Sequence, residues 1–335
     1  MKKFISIVLA IVLLASGLAL LQGCGEEEST APLKIVFLGD SISEGLAGPM
    51  PLSERENYSF YALLGRCNHM EYYNRAVSGQ KTKQFLGLIS REDDSAYITN
   101  TLIRDADILH ISITGNDLLQ NNMTQMAKEA ANNDFTYIDQ LLEDTRKDFA
   151  DAIARLKELN PDALIIINTV YNPVLADQPQ FSKAAEYLAE RGWTPDRYHE
   201  MGNILIGRLN TVITNYLKEH PGAYIVADAF ARYNQIYQSD FERFKRLPYP
   251  DLVHPSNEGH AVIMELLQQI LIEQGLASED ALSVYKQIKT EQLERMYAET
   301  LNVRALKRKI RHAQSFDEVT LIYFNATDGI APDYC

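Results

Sequence analysis

Cysteine is scarce: only 3 occur in 335 residues, at Cys24, Cys67 and Cys335, far apart along the chain. That spacing draws no paired-cysteine metal signature, so a zinc ribbon or finger is excluded. Histidine does not replace it, because His110, His199, His220 and His312 stand singly and read as structural or surface residues. No metal and no cofactor are called for. An excess of basic charge is also missing. With 32 Lys and Arg against 45 Asp and Glu, the formal net charge is −13, which argues against nucleic acid as a partner and against direct adhesion to anionic lipid. Internal repeats and low-complexity blocks are absent, which removes solenoid and fibrous architectures.

Hydrophobic residues are plentiful, at 46%, enough for one large domain with an appendage or for two modest domains. The first apolar run, Phe4 to Leu21, follows Lys2 and Lys3 and ends in "LQGC". It reads as a secretory signal over residues 1–23, with an uncleaved membrane anchor as the alternative. Leu21 and Gly23 before Cys24 resemble the bacterial lipobox, in which the cysteine is lipidated and becomes the new N-terminus. The expectation is an exported protein, anchored through lipid on Cys24 to a bacterial membrane at the cell surface or periplasmic face. "GEEESTAP" makes residues 24–32 a tether. Cys67 and Cys335 remain in a compartment that permits disulfides, and whether they pair is left open.

From Leu33 onward, short β-branched runs alternate with amphipathic helices: "KIVFL" at Lys34, "MEYYN" at Met70, "DILHISI" at Asp107, "ALIIIN" at Ala163 and "AYIVAD" at Ala223. Continuous apolar strands separated by helices predict an α/β fold, a three-layer α/β/α sandwich whose parallel sheet has about five strands. Residues 33–276 form this domain. Residues 277–335 are a charged C-terminal extension, helical at first, with a strand over Glu318 to Phe324. Two segments look inserted, Gln120 to Phe135 and Tyr171 to Tyr198; the second carries Tyr171, Phe181, Tyr187 and Trp193. They read as walls or a lid over a site, against the plainer reading that the aromatics only pack a long loop.

In such sheets functional residues collect just beyond the carboxyl ends of strands. A serine alcohol is a weak nucleophile and needs a base, a partner to orient that base, and donors for the developing oxyanion. Ser41 stands in a "GDS" turn after the first strand, Gly79 after the second and Asn116 after the third. Asp251 and His254, three apart in "DLVHPSNEGH", precede a helix that Ser256 caps. The spacing lets a carboxylate hold one imidazole nitrogen while the other faces the serine. His260 falls inside that helix and reads as structural. Each residue taken alone could serve a cap or a turn.

Their order, in "FLGDSISEG", "NRAVSGQKT", "TGNDLL" and "DLVHPSNEGH", resembles the SGNH hydrolases, the GDSL-type esterases and lipases, over roughly Leu33 to Leu276. Within that family the chain looks most like the lysophospholipase-like bacterial branch. The resemblance implies a flavodoxin-like sheet, Ser41 as nucleophile, His254 as base and then acid, and Asp251 orienting His254. It also implies an oxyanion hole of the Ser41 N–H, the Gly79 N–H and the Asn116 amide. One block departs from the family pattern, with Thr114 where glycine is usual two places before the asparagine.

The function this points to is a surface serine esterase or acylhydrolase acting through an acyl-enzyme on a lysophospholipid or other acyl ester. The alternatives are an acetylesterase acting on an envelope or environmental polysaccharide, and, from another class, a ligand-binding lipoprotein that does not turn its ligand over. The extension could also be a separate docking module for a partner.

Overall fold

The computed structural model describes residues 31–47, 54–248 and 250–330. Cys24, the apolar run before it and Cys335 lie outside them, and with them the expectations of export, of lipidation and of a Cys67–Cys335 bond. Cys67 itself is a buried free thiol. The chain divides into residues 1–32 and 33–335, and the strands and helices named here all belong to the second unit.

Five strands form one sheet: β1 (Lys34–Gly39), β2 (Glu71–Asn74), β3 (Ile108–Ser112), β4 (Leu164–Asn168) and β5 (Ile225–Ala227). All pairings are parallel and the order is β2-β1-β3-β4-β5, the flavodoxin-like arrangement. Both faces are covered, because successive side chains of a strand point opposite ways. Ile35 and Phe37 of β1 enter one core, and Val36 and Leu38 enter another.

The helices that frame the site and the extension are α1 (Ser41–Glu44), α2 (Phe60–Cys67), α3 (Thr82–Ser90), α4 (Gly115–Leu119), α5 (Met123–Ala130), α6 (Thr136–Leu159), α7 (Tyr198–Glu219), α8 (Ala229–Ser239), α9 (Phe241–Arg246), α10 (Asn257–Glu273), α11 (Ala281–Met296), α12 (Val303–His312) and α13 (Phe316–Thr327). The first core takes Phe60 of α2, Tyr233 of α8 and Leu267 of α10. The second takes Phe85 of α3, Phe149 of α6 and Leu205 of α7. Three layers result. The chain leaves β1 toward β2 on one side and comes back to β3 on the other, so a crevice opens between the carboxyl ends of β1 and β3.

The extension corrects one expectation. Glu318 to Phe324 is no strand but the middle of α13. Its β-branched and aromatic residues suggested a strand, yet Ser315 caps the segment by accepting from the Glu318 N–H, and Val319, Thr320, Tyr323 and Thr327 are buried at helical spacing. α11, α12 and α13 contribute Tyr285, Ile310 and Tyr323 to the first core, so the extension shares the domain's interior.

The two inserted segments meet, since the Asn132 amide donates to the Tyr187 hydroxyl at 2.8 Å. Their aromatics divide between the two readings. Tyr171 and Phe181 line a cavity at the carboxyl edge of the sheet. Tyr187 instead stacks on the Arg191 guanidinium at 3.5 Å, and Trp193 packs against the second core. Among the described residues no helix is long and apolar enough to cross a membrane.

Candidate active site

The turn that carries Ser41 is built by the residues at the carboxyl end of β1. Gly39 has φ +112, and a Cβ there would sit 1.8 Å from the Ser112 carbonyl oxygen, so no other residue fits. The Asp40 N–H donates to that same carbonyl at 2.8 Å, and the Asp40 carboxylate caps α1 by accepting from the Ile42 N–H at 3.0 Å. Ser41 is thereby the first residue of α1, at the crevice.

His254 arrives from the loop before α10. His254 Nε2 lies 2.9 Å from Ser41 Oγ, and His254 Nδ1 lies 2.6 Å from Asp251 Oδ2. The other oxygen of Asp251 accepts from the backbone N–H groups of Val253 and His254, at 2.9 and 2.8 Å. Burial pushes the Asp251 carboxyl up, but the hydrogen bonds from His254 and the backbone outweigh it and hold the group below its ordinary value. A carboxylate, an imidazole and a hydroxyl therefore stand in one line. His260 is buried, bonds the Leu46 carbonyl at 2.8 Å and stacks on Phe60. Burial pushes it down to about 4, so it stays neutral as a packing residue.

Gly79 and Asn116 reach the same crevice, and both line its cavity. Gly79 has φ +75, which favours glycine, although a Cβ would meet nothing closer than the Gln120 amide nitrogen at 3.6 Å. Asn116 donates one amide hydrogen to the Gln80 carbonyl at 3.2 Å; an amide nitrogen carries two. Thr114 stands two places before it with φ +84, a left-handed conformation costly for a β-branched residue. Its hydroxyl is buried without a partner, so the departure from glycine carries local strain.

Four positioning groups escaped the sequence reading. Asp117 accepts from both the N–H and the hydroxyl of Thr82, at 3.0 and 2.7 Å, tying the Asn116 loop to the segment after Gly79. Glu44 accepts from the Ser78 N–H at 2.8 Å and pairs with Arg55 at 2.8 Å, fixing the Gly79 loop to α1. The Tyr171 hydroxyl donates to the Val253 carbonyl at 2.5 Å, so the second inserted segment holds the histidine loop. Asp40 is buried, and burial pushes its carboxyl up to about 7. Its place directly before Ser41 was the available signal; the other three contacts join distant segments.

A cavity of about 370 Å³ adjoins Ser41, with walls of Leu118, Met123, Val170, Val174, Phe181 and Ile206. Ser41, His254 and Asn116 also line it, together with the polar residues Asn168, Thr169, Gln178 and Gln180.

The family described as GDSL-like Lipase/Acylhydrolase matches residues 37–262, and the chain belongs to it. It is an SGNH-type hydrolase, an enzyme that cleaves esters. Among solved structures, phospholipase A1 from Streptomyces albidoflavus NA297 is 18% identical with a TM-score of 0.50, covering 71% of this chain and 99% of its own. The lipase Lip_vut3 from a goat rumen metagenome is also 18% identical, with a TM-score of 0.49, and covers 71% of this chain and 96% of its own. The extracellular lipase of Streptomyces rimosus is 17% identical with a TM-score of 0.47, covering 71% of this chain and 99% of its own. The likeness to the phospholipase A1 structure speaks to the fold alone. No curated protein sequence matches.

Proposed function

We propose that the chain is a serine esterase that hydrolyses an ester with a sizeable acyl group, such as a lysophospholipid, through an acyl-enzyme on Ser41. Lipid on Cys24 would hold it at a bacterial membrane. The observation that carries the reading is the line from Asp251 through His254 to Ser41 Oγ, opening on an apolar cavity of about 370 Å³.

In this reading His254 Nε2 takes the Ser41 proton as Oγ attacks the ester carbonyl. The negative charge that moves onto the carbonyl oxygen is met by the Ser41 and Gly79 N–H groups and the Asn116 amide. Collapse breaks the bond to the alcohol, which leaves with the proton from His254. Water, deprotonated by the same imidazole, then releases the acid from Ser41. Asp251 holds the tautomer and stabilises the imidazolium.

The cavity favours an acyl chain over acetyl, because an acetyl group would leave most of the apolar wall without a partner. Each buried methylene contributes about 0.8 kcal/mol, a ceiling of roughly fourfold in kcat/KM per carbon. Rates on p-nitrophenyl esters should therefore rise from acetyl to octanoyl. Activity confined to acetyl would overturn the substrate and favour the polysaccharide acetylesterase. Ser41→Ala should abolish turnover in a folded protein. Failure of a fluorophosphonate to label Ser41 would favour a non-catalytic binding protein.

A further inference from the structure

The charge that the composition hides is concentrated on α12, in the extension beyond the family match. Its ten residues, VRALKRKIRH, hold five Lys and Arg and no acid, in a chain whose net charge is −13. At about 100° per residue, Arg304, Lys307, Arg308 and Arg311 share one stripe about 100° wide. Leu306 and Ile310 lie outside that stripe and pack into the first core. Arg304, Arg308 and Arg311 are exposed. Lys307 pairs with Glu294, while these three arginines have no ion-pair partner among the described residues. Beside the stripe runs a groove of about 1030 Å³ lined by Leu301 and Val303 as well as the arginines, with Glu294 the one acid in its lining. Lys286 of α11 adds a further positive charge next to Arg311, whose carbonyl it bonds at 3.2 Å.

We propose that this face docks the enzyme on an anionic phospholipid surface. Three of the four charges in the stripe are arginine, whose planar fork matches a phosphate oxygen pair better than a lysine does. Net charge is the wrong measure at this range, because screening confines the field to about 8 Å at physiological salt and a surface sees only the charges facing it. α12 spends its apolar side on the core, so it does not insert as an interfacial amphipathic helix would. The contact is at the level of the headgroups and is governed by salt. It is independent of which ester Ser41 cleaves.

The unit from Leu33 onward holds every described element and both cores, so it serves as the soluble test protein. It is sedimented with vesicles of phosphatidylcholine alone or with 30% phosphatidylglycerol, at about 0.1 M and about 0.5 M salt. The expected result is binding to the anionic vesicles only, released by the higher salt. Arg304→Gln, Arg308→Gln and Arg311→Gln together should weaken it by about a hundredfold, from the usual contribution of one basic residue near an anionic membrane. Lys83→Gln, Lys183→Gln and Lys218→Gln change net charge equally on other exposed residues and should leave binding within about twofold, because their field is screened there. Short-ester turnover confirms that both triple variants fold. Equal binding to neutral vesicles, no binding, indifference to salt, or equal loss in both variants would overturn the proposal. Binding to polygalacturonate without binding to vesicles would overturn it too, assigning the face to an acidic polysaccharide. Should the arginine variant not fold, the wild-type comparison of lipids and salts decides alone.

Discussion

Replacing Asp251 with asparagine would test the proton path through His254, because the two oxygens of Asp251 do different work. Oδ1 accepts two backbone N–H groups, and Oδ2 takes the His254 Nδ1 proton. An asparagine has one acceptor oxygen for those three donors. Two backbone hydrogen bonds at about 1 kcal/mol each outweigh the one neutral bond left to the imidazole, so the amide oxygen stays on the backbone side. The amide N–H then faces Nδ1 and forces the ring proton onto Nε2, where it blocks acceptance of the Ser41 proton. The expected loss in kcat is about ten-thousandfold, the scale seen when an orienting carboxylate of a serine triad becomes an amide. KM and melting temperature should barely move, since the turn from Asp251 to His254 keeps its bonds. Steady-state kinetics on a short p-nitrophenyl ester together with thermal unfolding read both quantities. A kcat within tenfold of wild type would show that Asp251 does not set the tautomer, and a large fall in melting temperature would refute the argument that the turn survives.

Asn116→Ala should lower kcat by about a hundred- to a thousandfold with little change in KM, as removal of one oxyanion donor does; an unchanged kcat would remove Asn116 from the hole. Tyr171→Phe takes away the bond to the Val253 carbonyl and keeps the ring stack on Tyr233. Unfolding by urea should show a loss of about 1–2 kcal/mol, and equal stability would mean that the inserted segment does not brace the histidine loop. Asp40 has its carboxyl raised from 3.8 to about 7 by burial. A raised acid binds its proton more tightly in the folded state, so this contribution to stability is whole below pH 3.8 and is lost as pH rises through about 7. Asp40→Asn should therefore flatten the fall in melting temperature between about pH 4 and pH 7, and an unchanged slope would refute the assignment.

The sheet was legible because its strands are buried on both faces, so runs such as "ALIIIN" stand out from the amphipathic helices around them. The line of Ser41, His254 and Asp251 was legible because each stands at a strand end or loop in a recognisable block. The bond from Tyr171 to Val253 spans 82 positions and that from Thr82 to Asp117 spans 35, and neither has a local pattern to announce it. α13 is different. Its start was written in the sequence, with Ser315 followed three residues later by Glu318, and the Glu318 carboxylate accepts from the Gln314 N–H beside the cap. β-branched content points to a strand there, and the cap together with helical burial spacing overrides it.

The same contacts argue against cutting the extension away near Ser278 to separate docking from catalysis. Arg243 of α9 is buried and bonds both Glu258 of α10 and Asp317 of α13, each at 2.9 Å. Glu258 also takes Arg246 at 2.9 Å, so two arginines converge on one buried carboxylate and Asp317 balances the excess. Asp317 is partly exposed, so its removal costs less than the ~3–5 kcal/mol of a fully buried pair, yet it leaves the buried Arg243 with one carboxylate fewer. The cut would also uncover Tyr58, Leu267 and Leu271, which share a core with Tyr285, Ile288 and Tyr323 of the extension. Glu258 lies four residues beyond His254, in the first turn of the helix after the histidine loop. Loss of Asp317 from Arg243 would therefore reach the helix that follows His254 as well as the fold. A truncated protein should aggregate or lose ester turnover, and substitutions on the outer face of α12 are the way to test docking alone.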